Sequence, residues 1–276
     1  MQGELRKGND IMIKVGFIGT GNMGGAIIRG IIAKYGDNAS VTAYDPDKEK
    51  LAELQKAGVK AAASEGEVCQ SCKYVFLAIK PQMFDSVLPV IAPYVTEENV
   101  IVSIAAGITE DYIAKMTIDN VRTVIVMPNT PFLVGEGATA LAKGKNTSEK
   151  EFGEVIDIFS TGGIAKVVPM DKMKEIIAIN GSSPAFIYLF AKGFTDYAES
   201  VGIDGRTALE LFSQSLIGSA KMLTDSGYSV DELIKMVSSP GGTTLAGLDG
   251  LYEGRLTEVV ADCCERCTKR ACELSK

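Results

Sequence analysis

The sequence predicts an α/β protein in two parts, a doubly wound, mostly parallel sheet over residues 12–169 and an all-helical domain over 170–276. Three observations carry this. Short β-branched runs alternate with amphipathic stretches as far as Val168, a glycine-rich loop joins the first run to the first stretch, and strand-like runs stop after Pro169. With 276 residues, 46% of them hydrophobic and 23% charged, the chain has enough apolar material for one or two ordinary cores.

Taken in order, residues 1–11 are polar and precede Met12, which stands directly before the first strand pattern, so they read as a leader outside the fold. Strand patterns follow at 13–18, 41–44, 74–78, 100–103, 122–127, 138–141 and 165–168. Helical patterns at 25–35, 48–56, 83–92 and 148–159 separate several of them. That is the rhythm of a parallel sheet covered on both faces. Beyond Pro169 the period changes: in 185–201 Ile187, Phe190, Ala191, Phe194 and Ala198 recur at three- and four-residue spacing, and 208–223 behaves similarly.

Composition removes several functions. A formal charge of −7 argues against nucleic acid or an anionic membrane surface as the main partner, since both reward clustered Lys and Arg. No run has the length to span a bilayer and none reads as a signal peptide, so a cytoplasmic protein is expected. Histidine is absent, which excludes Ser-His-Asp and Cys-His catalysis and every His-ligated metal site. Six cysteines include two C-x-x-C spacings, Cys69 to Cys72 and Cys264 to Cys267, the raw material of a four-thiolate zinc site. The second pair falls in a helical stretch where Cys263 and Cys267 are one turn apart, so apolar packing is the expected role and no metal is expected.

The strand Val15-Gly16-Phe17-Ile18 runs into Gly19-Thr20-Gly21-Asn22-Met23-Gly24 and then into a helical pattern. Glycine is common in turns, but G-x-G-x-x-G between a strand and a helix is the fingerprint of a dinucleotide-binding, Rossmann-type fold. Gly19 permits the tight turn, Gly21 lets backbone approach a pyrophosphate, and Gly24 allows close helix–strand packing, with the helix N-terminus facing the anion. Asp45 ends the second strand at the interval where an acid meets the adenosine ribose, although Asp45-Pro46-Asp47 equally makes a helix-start turn. Two further strand ends, Ala78-Ile79-Lys80-Pro81 and Ala105-Ala106-Gly107, occupy the edge where such sheets bind ligands.

The segment Ser238-Ser239-Pro240-Gly241-Gly242-Thr243-Thr244-Leu245-Ala246-Gly247-Leu248 resembles the signature of pyrroline-5-carboxylate reductases. The resemblance covers nearly all of 12–276 and includes the glycine loop, Ala78-Ile79-Lys80-Pro81-Gln82, Ser103-Ile104-Ala105-Ala106-Gly107, and Arg122 with Met127-Pro128-Asn129-Thr130-Pro131. There are departures. Asn180 and Ser183 replace Ser and Gly of the family's Ser-Gly-Ser-Gly-Pro-Ala, and Tyr252 stands where the family usually has Glu.

The resemblance implies a C-terminal all-helical dimerisation domain and hydride transfer from NADPH or NADH to the C=N bond of 1-pyrroline-5-carboxylate, giving proline. With it, the dinucleotide is expected on Ile18, Gly19, Thr20, Gly21, Asn22, Met23, Gly24, Ala78, Ile79, Lys80, Pro81, Ala105, Ala106 and Gly107, and on Asp45 by its interval after the glycine loop. The small imino acid falls to Ser239, Gly241, Gly242, Thr243 and Thr244, with Thr244 beside the reacting nitrogen. A homodimer, or a larger homo-oligomer built from dimers, is implied with it. The alternatives are another Rossmann oxidoreductase of the β-hydroxyacid dehydrogenase type, for which Lys192 is the candidate catalytic lysine in an unmatched context, and a non-catalytic NAD(P)-sensing protein.

Overall fold

The structure, a computed structural model, describes residues 13–275. The expected leader lies outside the described residues. One sheet contains β1 (Ile13–Ile18), β2 (Ala39–Tyr44), β3 (Lys60–Ala61), β4 (Tyr74–Leu77), β5 (Val100–Ser103), β6 (Arg122–Met127), β7 (Gly137–Lys143) and β8 (Gly163–Val167). Their order is β3-β2-β1-β4-β5-β6-β7-β8, which begins with the 3-2-1-4-5-6 arrangement of dinucleotide-binding sheets. Every neighbouring pair is parallel except β6 with β7, so the sheet is mostly parallel, as the sequence predicts.

Flanking it are α1 (Asn22–Tyr35), α2 (Lys48–Gln55), α3 (Glu65–Ser71), α4 (Phe84–Ile91), α5 (Glu110–Met116) and α6 (Glu149–Phe159). Strand side chains alternate between two cores, because successive residues of a strand point to opposite faces. Phe17, Phe76, Val102 and Val124 pack with Ile27, Ile28 and Ile31 of α1 and with Phe152, Val155 and Phe159 of α6. Val75, Leu77, Ile101 and Ile125 pack on the other face with Phe84, Leu88 and Ile91 of α4 and Ile113 of α5. Each large apolar side chain so buried stabilises the fold by about 1.5–3 kcal/mol.

At the amino ends of β4 and β6 the buried Glu151 carboxylate is held by Lys73 at 3.0 Å and Arg122 at 2.7 Å. It also closes a capping box with Ser148, the residue that starts α6. Burial alone would raise its pKa, but the Ser148 hydroxyl, Lys73 and the Ser148 amide outweigh this and bring it down to about 2.

The chain divides into two compact units, one built from residues up to Gly181 together with Cys267 onward, the other from Ser182–Arg266. The change of composition at Pro169 therefore precedes the division. Residues 170–181 stay with the sheet because Met173 and Ile177 are buried in its second core and the Asn180 amide donates to the carbonyls of Met127 (2.8 Å) and Ala138 (3.0 Å).

The second unit consists of α7 (Ser183–Ser200), α8 (Gly205–Asp225), α9 (Val230–Met236), α10 (Thr243–Glu253) and the first half of α11 (Leu256–Leu274). Phe194 of α7 stacks on Phe212 of α8 with ring centroids 4.2 Å apart. Within 182–266 only Pro184, Ala191 and Ala198 are buried, whereas Leu189, Tyr197 and Leu211 are about two-thirds exposed. So few buried groups cannot account for a stable unit by itself; long apolar helix faces of this kind are the surfaces that self-association covers.

Candidate active site

The carboxyl end of β1 turns sharply at Gly19, where φ is +97°. A Cβ there would lie 2.5 Å from the carbonyl oxygen of Ala78, so only glycine fits both the backbone conformation and the approach of the β4 end. The turn is anchored on both sides: the Gly19 amide donates to Tyr44 O and the Ala78 amide to Ile18 O, each at 2.9 Å. Gly24 makes the helix sit close, since a Cβ there would be 2.6 Å from Gly19 O.

Gly21 differs from both. Beyond its own chain neighbours, no atom lies within 4 Å of the place its Cβ would take, so the loop is open on that side. Gly21 is also the N-cap of α1 and brings no side chain to the helix end. The amides of Asn22, Met23 and Gly24 precede the first intrahelical bond, from Gly25 N–H to Gly21 O at 2.8 Å, and so lack acceptors in their own helix. Open space in front of uncapped amides at the positive end of a helix dipole fits a pyrophosphate.

Asp45 makes the helix-start turn that the sequence offered and, beyond it, a contact with the glycine loop that the sequence did not show. Its Oδ2 accepts from the Thr20 amide at 2.6 Å and the Thr20 hydroxyl at 2.9 Å, and its Oδ1 accepts from the Asp47 amide at 2.9 Å. The carboxylate thus fastens the glycine loop to the end of β2 and shapes the turn into α2. An ionised carboxylate oxygen has two lone pairs, so Oδ1 keeps one acceptor position in addition.

The other strand ends lie alongside. Leu77 of β4 pairs with Ile18 of β1 on one side and Ser103 of β5 on the other, which puts Ala78, Ile79, Lys80 and Pro81 next to the glycine loop and the 105–107 loop next to them. Ala105 is buried, Gly107 turns with φ of +79°, and Thr109 ends the loop by capping α5 through the Tyr112 amide. All the residues assigned above to the dinucleotide therefore sit at the carboxyl ends of four adjacent strands within the first unit. Asn129, at the end of β6, continues this edge: its side chain accepts from the Ala138 amide at 2.9 Å and donates to Asn180 O at 3.2 Å. The family-like string Met127-Pro128-Asn129 was the available signal for it.

Ser239, Gly241, Gly242, Thr243 and Thr244 lie in the second unit. The Gly242 amide donates to Ser239 O at 2.9 Å across Pro240 and Gly241, and Gly241 has φ of +71°. Pro followed by a positive-φ Gly is the arrangement a type II turn requires. It delivers the chain into α10 with Gly242 as an N-cap that has no side-chain hydrogen bond. Thr243 and Thr244 are thus the first residues of a second helix whose end is left to backbone amides and hydroxyls. Thr244 is half-buried and Ser239 exposed.

The cysteines form no metal-sized group: among the described residues no cluster of three or more His, Cys, Asp or Glu is positioned to hold an ion. Burial first, and the neighbouring Cys72 and Glu65 next, push the Cys69 thiol up to about 12, the behaviour of an apolar packing group.

A glycine loop of this geometry on a 3-2-1-4-5-6 sheet, followed by a helical unit, defines a dinucleotide-binding α/β protein of the oxidoreductase type. Comparison with known proteins narrows the class. Residues 170–274 match the model described as pyrroline-5-carboxylate reductase dimerisation, and 14–107 match that of NADP oxidoreductase, coenzyme F420-dependent. The pyrroline-5-carboxylate reductase of Escherichia coli K12 is 34% identical over 266 residues, covering 95% of this chain and 98% of that one. The solved pyrroline-5-carboxylate reductase of Coxiella burnetii superposes with a TM-score of 0.89 at 31% identity, over 96% of this chain and 99% of that one. That of Plasmodium falciparum, with NADP bound, does so with 0.86 at 30% identity, over 96% and 99%. The chain belongs to the pyrroline-5-carboxylate reductase family.

Proposed function

We propose that the protein reduces the C=N bond of 1-pyrroline-5-carboxylate to L-proline with NADPH or NADH, in the cytoplasm, as a homodimer or a larger homo-oligomer built from dimers. The observation that carries this is the likeness along nearly the whole chain to relatives of that name. Two helices that open on uncapped glycines, α1 and α10, supply a chemical basis for it.

The amides that follow Gly21 would hold the pyrophosphate, and Ile18, Gly19, Thr20 and Gly24 keep the loop in shape for it. The free acceptor position of Asp45 suits a ribose hydroxyl. Ala78, Ile79, Lys80, Pro81, Ala105, Ala106 and Gly107 line the rest of the strand edge, where small residues leave room for the nicotinamide half. When bound, the reduced nicotinamide supplies the hydride. The chain's own part is to orient the imine. The first amides of α10, at Thr243 and Thr244, set in place by the Gly241–Gly242 turn and with the Ser239 hydroxyl nearby in sequence, suit a small carboxylate. The Thr244 hydroxyl both donates and accepts, so it orients the ring nitrogen in either protonation state.

The direct test is oxidation of NAD(P)H by purified protein offered pyrroline-5-carboxylate, beside a panel of 3-hydroxy acids with the oxidised cofactors. Turnover of the imine alone is expected. Turnover of a hydroxy acid would favour the β-hydroxyacid dehydrogenase reading, and binding without turnover the sensor. Light scattering at micromolar concentration should give at least twice the chain mass of 29.3 kDa.

A further inference from the structure

We infer that the carboxyl-terminal segment, residues 271–275, is a positioning element of the cofactor site, holding the loop after β5 in the shape that Ala105, Ala106 and Gly107 need to meet the dinucleotide. This rests on the cofactor assignment proposed above.

The loop does little to hold itself. Ala106 and Gly107 make only a local turn, and the preceding Ile104 amide reaches Leu77 O only at 3.5 Å. A local turn does not fix where the loop sits, so its position depends on packing, and a strand end without a ladder partner drifts unless something covers it. Ala105 and Ile108 are 5% and 3% exposed, and they share their core cluster with Ala271 of α11, itself 6% exposed. Cys267, one turn earlier on α11, packs against the same cluster.

Past Ala271 the chain meets the loop itself. A Cβ added to Gly107 would lie 3.2 Å from the Leu274 carbonyl oxygen and 3.5 Å from Ser275 Cα, so the loop backbone and the tail backbone are in near contact. The tail keeps its own form through the Ser275 amide, which donates to Cys272 O at 3.2 Å. Behind the loop there is a cavity of about 220 Å³, bordered by Ala105, Gly107, Ile108, Met173, Ile177 and Ser275. The loop is therefore not backed by solid side-chain packing on that side. Where the cavity leaves it unsupported, the tail bears on Gly107, the residue whose positive φ turns the loop.

Removing the tail should let the loop relax into the cavity, which weakens dinucleotide binding without altering the groups that meet the imine. The test uses the full chain, a chain ending at Cys272, and Ala271→Leu, which keeps the tail but overfills the core cluster that anchors it. Dinucleotide affinity is read from the fluorescence of NADPH itself, and KM and kcat from imine reduction. Both variants should raise the dissociation constant and the KM for NADPH roughly tenfold while kcat changes less than about twofold. Unchanged affinity in folded variants overturns the inference, as does a lowered melting temperature with normal kinetics in the folded fraction, which marks a purely structural tail. An unaltered chain that binds no NADPH would overturn the cofactor assignment and this inference together. Binding without imine reduction would overturn the proposed activity alone.

Discussion

Replacing Asp45 separates two effects that act on the same carboxylate. Asp45→Ser removes the acceptor of both Thr20 bonds, which at 2.6 and 2.9 Å tie the glycine loop to β2. Hydrogen bonds to a charged group contribute about 1.5–3 kcal/mol each, so the loosened loop should weaken both cofactors by a common factor. The second effect is electrostatic and acts on NADPH alone. Asp45 is half-exposed. At ~6 Å and an effective dielectric of ~50, a carboxylate and the nearly dianionic 2′-phosphate repel by about 2 kcal/mol, roughly thirtyfold in relative affinity. The assay is kcat/KM for NADPH and NADH, each at saturating imine, and the quantity that matters is their ratio, from which the common factor cancels. Asp45→Ser should shift the ratio toward NADPH by ten- to thirtyfold. Asp45→Asn should shift it equally, since it also loses the charge, whereas Thr20→Val, which removes one bond and no charge, should lower both efficiencies and leave the ratio alone. An unmoved ratio in both Asp45 variants would refute the argument and place the ribose away from this carboxylate.

Three further outcomes are expected. Thr244→Val keeps the side-chain shape and removes its hydrogen bond, so kcat/KM for the imine should fall by about 1–3 kcal/mol, roughly five- to 150-fold, with NADPH affinity barely changed; a loss of NADPH binding instead would move the substrate site elsewhere. Glu151 has a folded-state pKa lowered to about 2, so its contribution to stability is present above its ordinary carboxylate pKa and is lost as pH falls through the folded value. Glu151→Gln should therefore lower the melting temperature at neutral pH, by an equivalent of about 2 kcal/mol, and flatten the fall in stability between roughly pH 4.5 and 2; identical acid limbs would refute this. Arg255 has φ of +54° between α10 and α11, a conformation that penalises a side chain, and its contact with Glu258 is exposed. Arg255→Gly should stabilise by about 0.5 kcal/mol in denaturant unfolding, and a loss of stability would show that the guanidinium contributes more than its backbone costs.

What could be read from the sequence was what geometry forces onto one residue type within a short span. Gly19, Gly21 and Gly24 were legible because a positive φ, an open approach and a close helix crossing each demand glycine, and all three fall within one loop. Pro240-Gly241 was read through the family resemblance alone, although its turn makes the same demand at Gly241. The two-residue β3, whose Lys60 and Ala61 are both exposed, carries no alternation to detect. The helices α3 and α5 span seven residues each, too short for a helical period to separate from chance. Contacts between distant parts of the chain were not legible at all. The Thr20–Asp45 bonds join residues 25 apart, and Gly107 meets Leu274 across most of the chain. The division at Gly181 was hidden likewise, because residues 170–181 have the composition of the helical part and the partners of the sheet.

Histidine is absent from all 276 residues, and the structure explains why the proposed reaction does not need it. Burial first, and then its bond to Glu154, raises the pKa of Tyr74, while burial and the bond to Asp85 push Tyr112 up to about 12. With the Cys69 thiol raised as well, these groups stay protonated through the neutral range and are poor proton shuttles there. The Thr244 hydroxyl is a weak acid by nature. A cyclic imine that arrives already protonated, however, is activated before it binds, and hydride transfer to its carbon then asks the protein only for alignment and a seat for the carboxylate. In the proposed reading, backbone amides at the starts of α1 and α10 would serve those ends with fixed dipoles that do not titrate. The pH dependence of turnover should accordingly belong to the substrate nitrogen rather than to any side chain, and a chain without histidine gives up nothing that such chemistry uses.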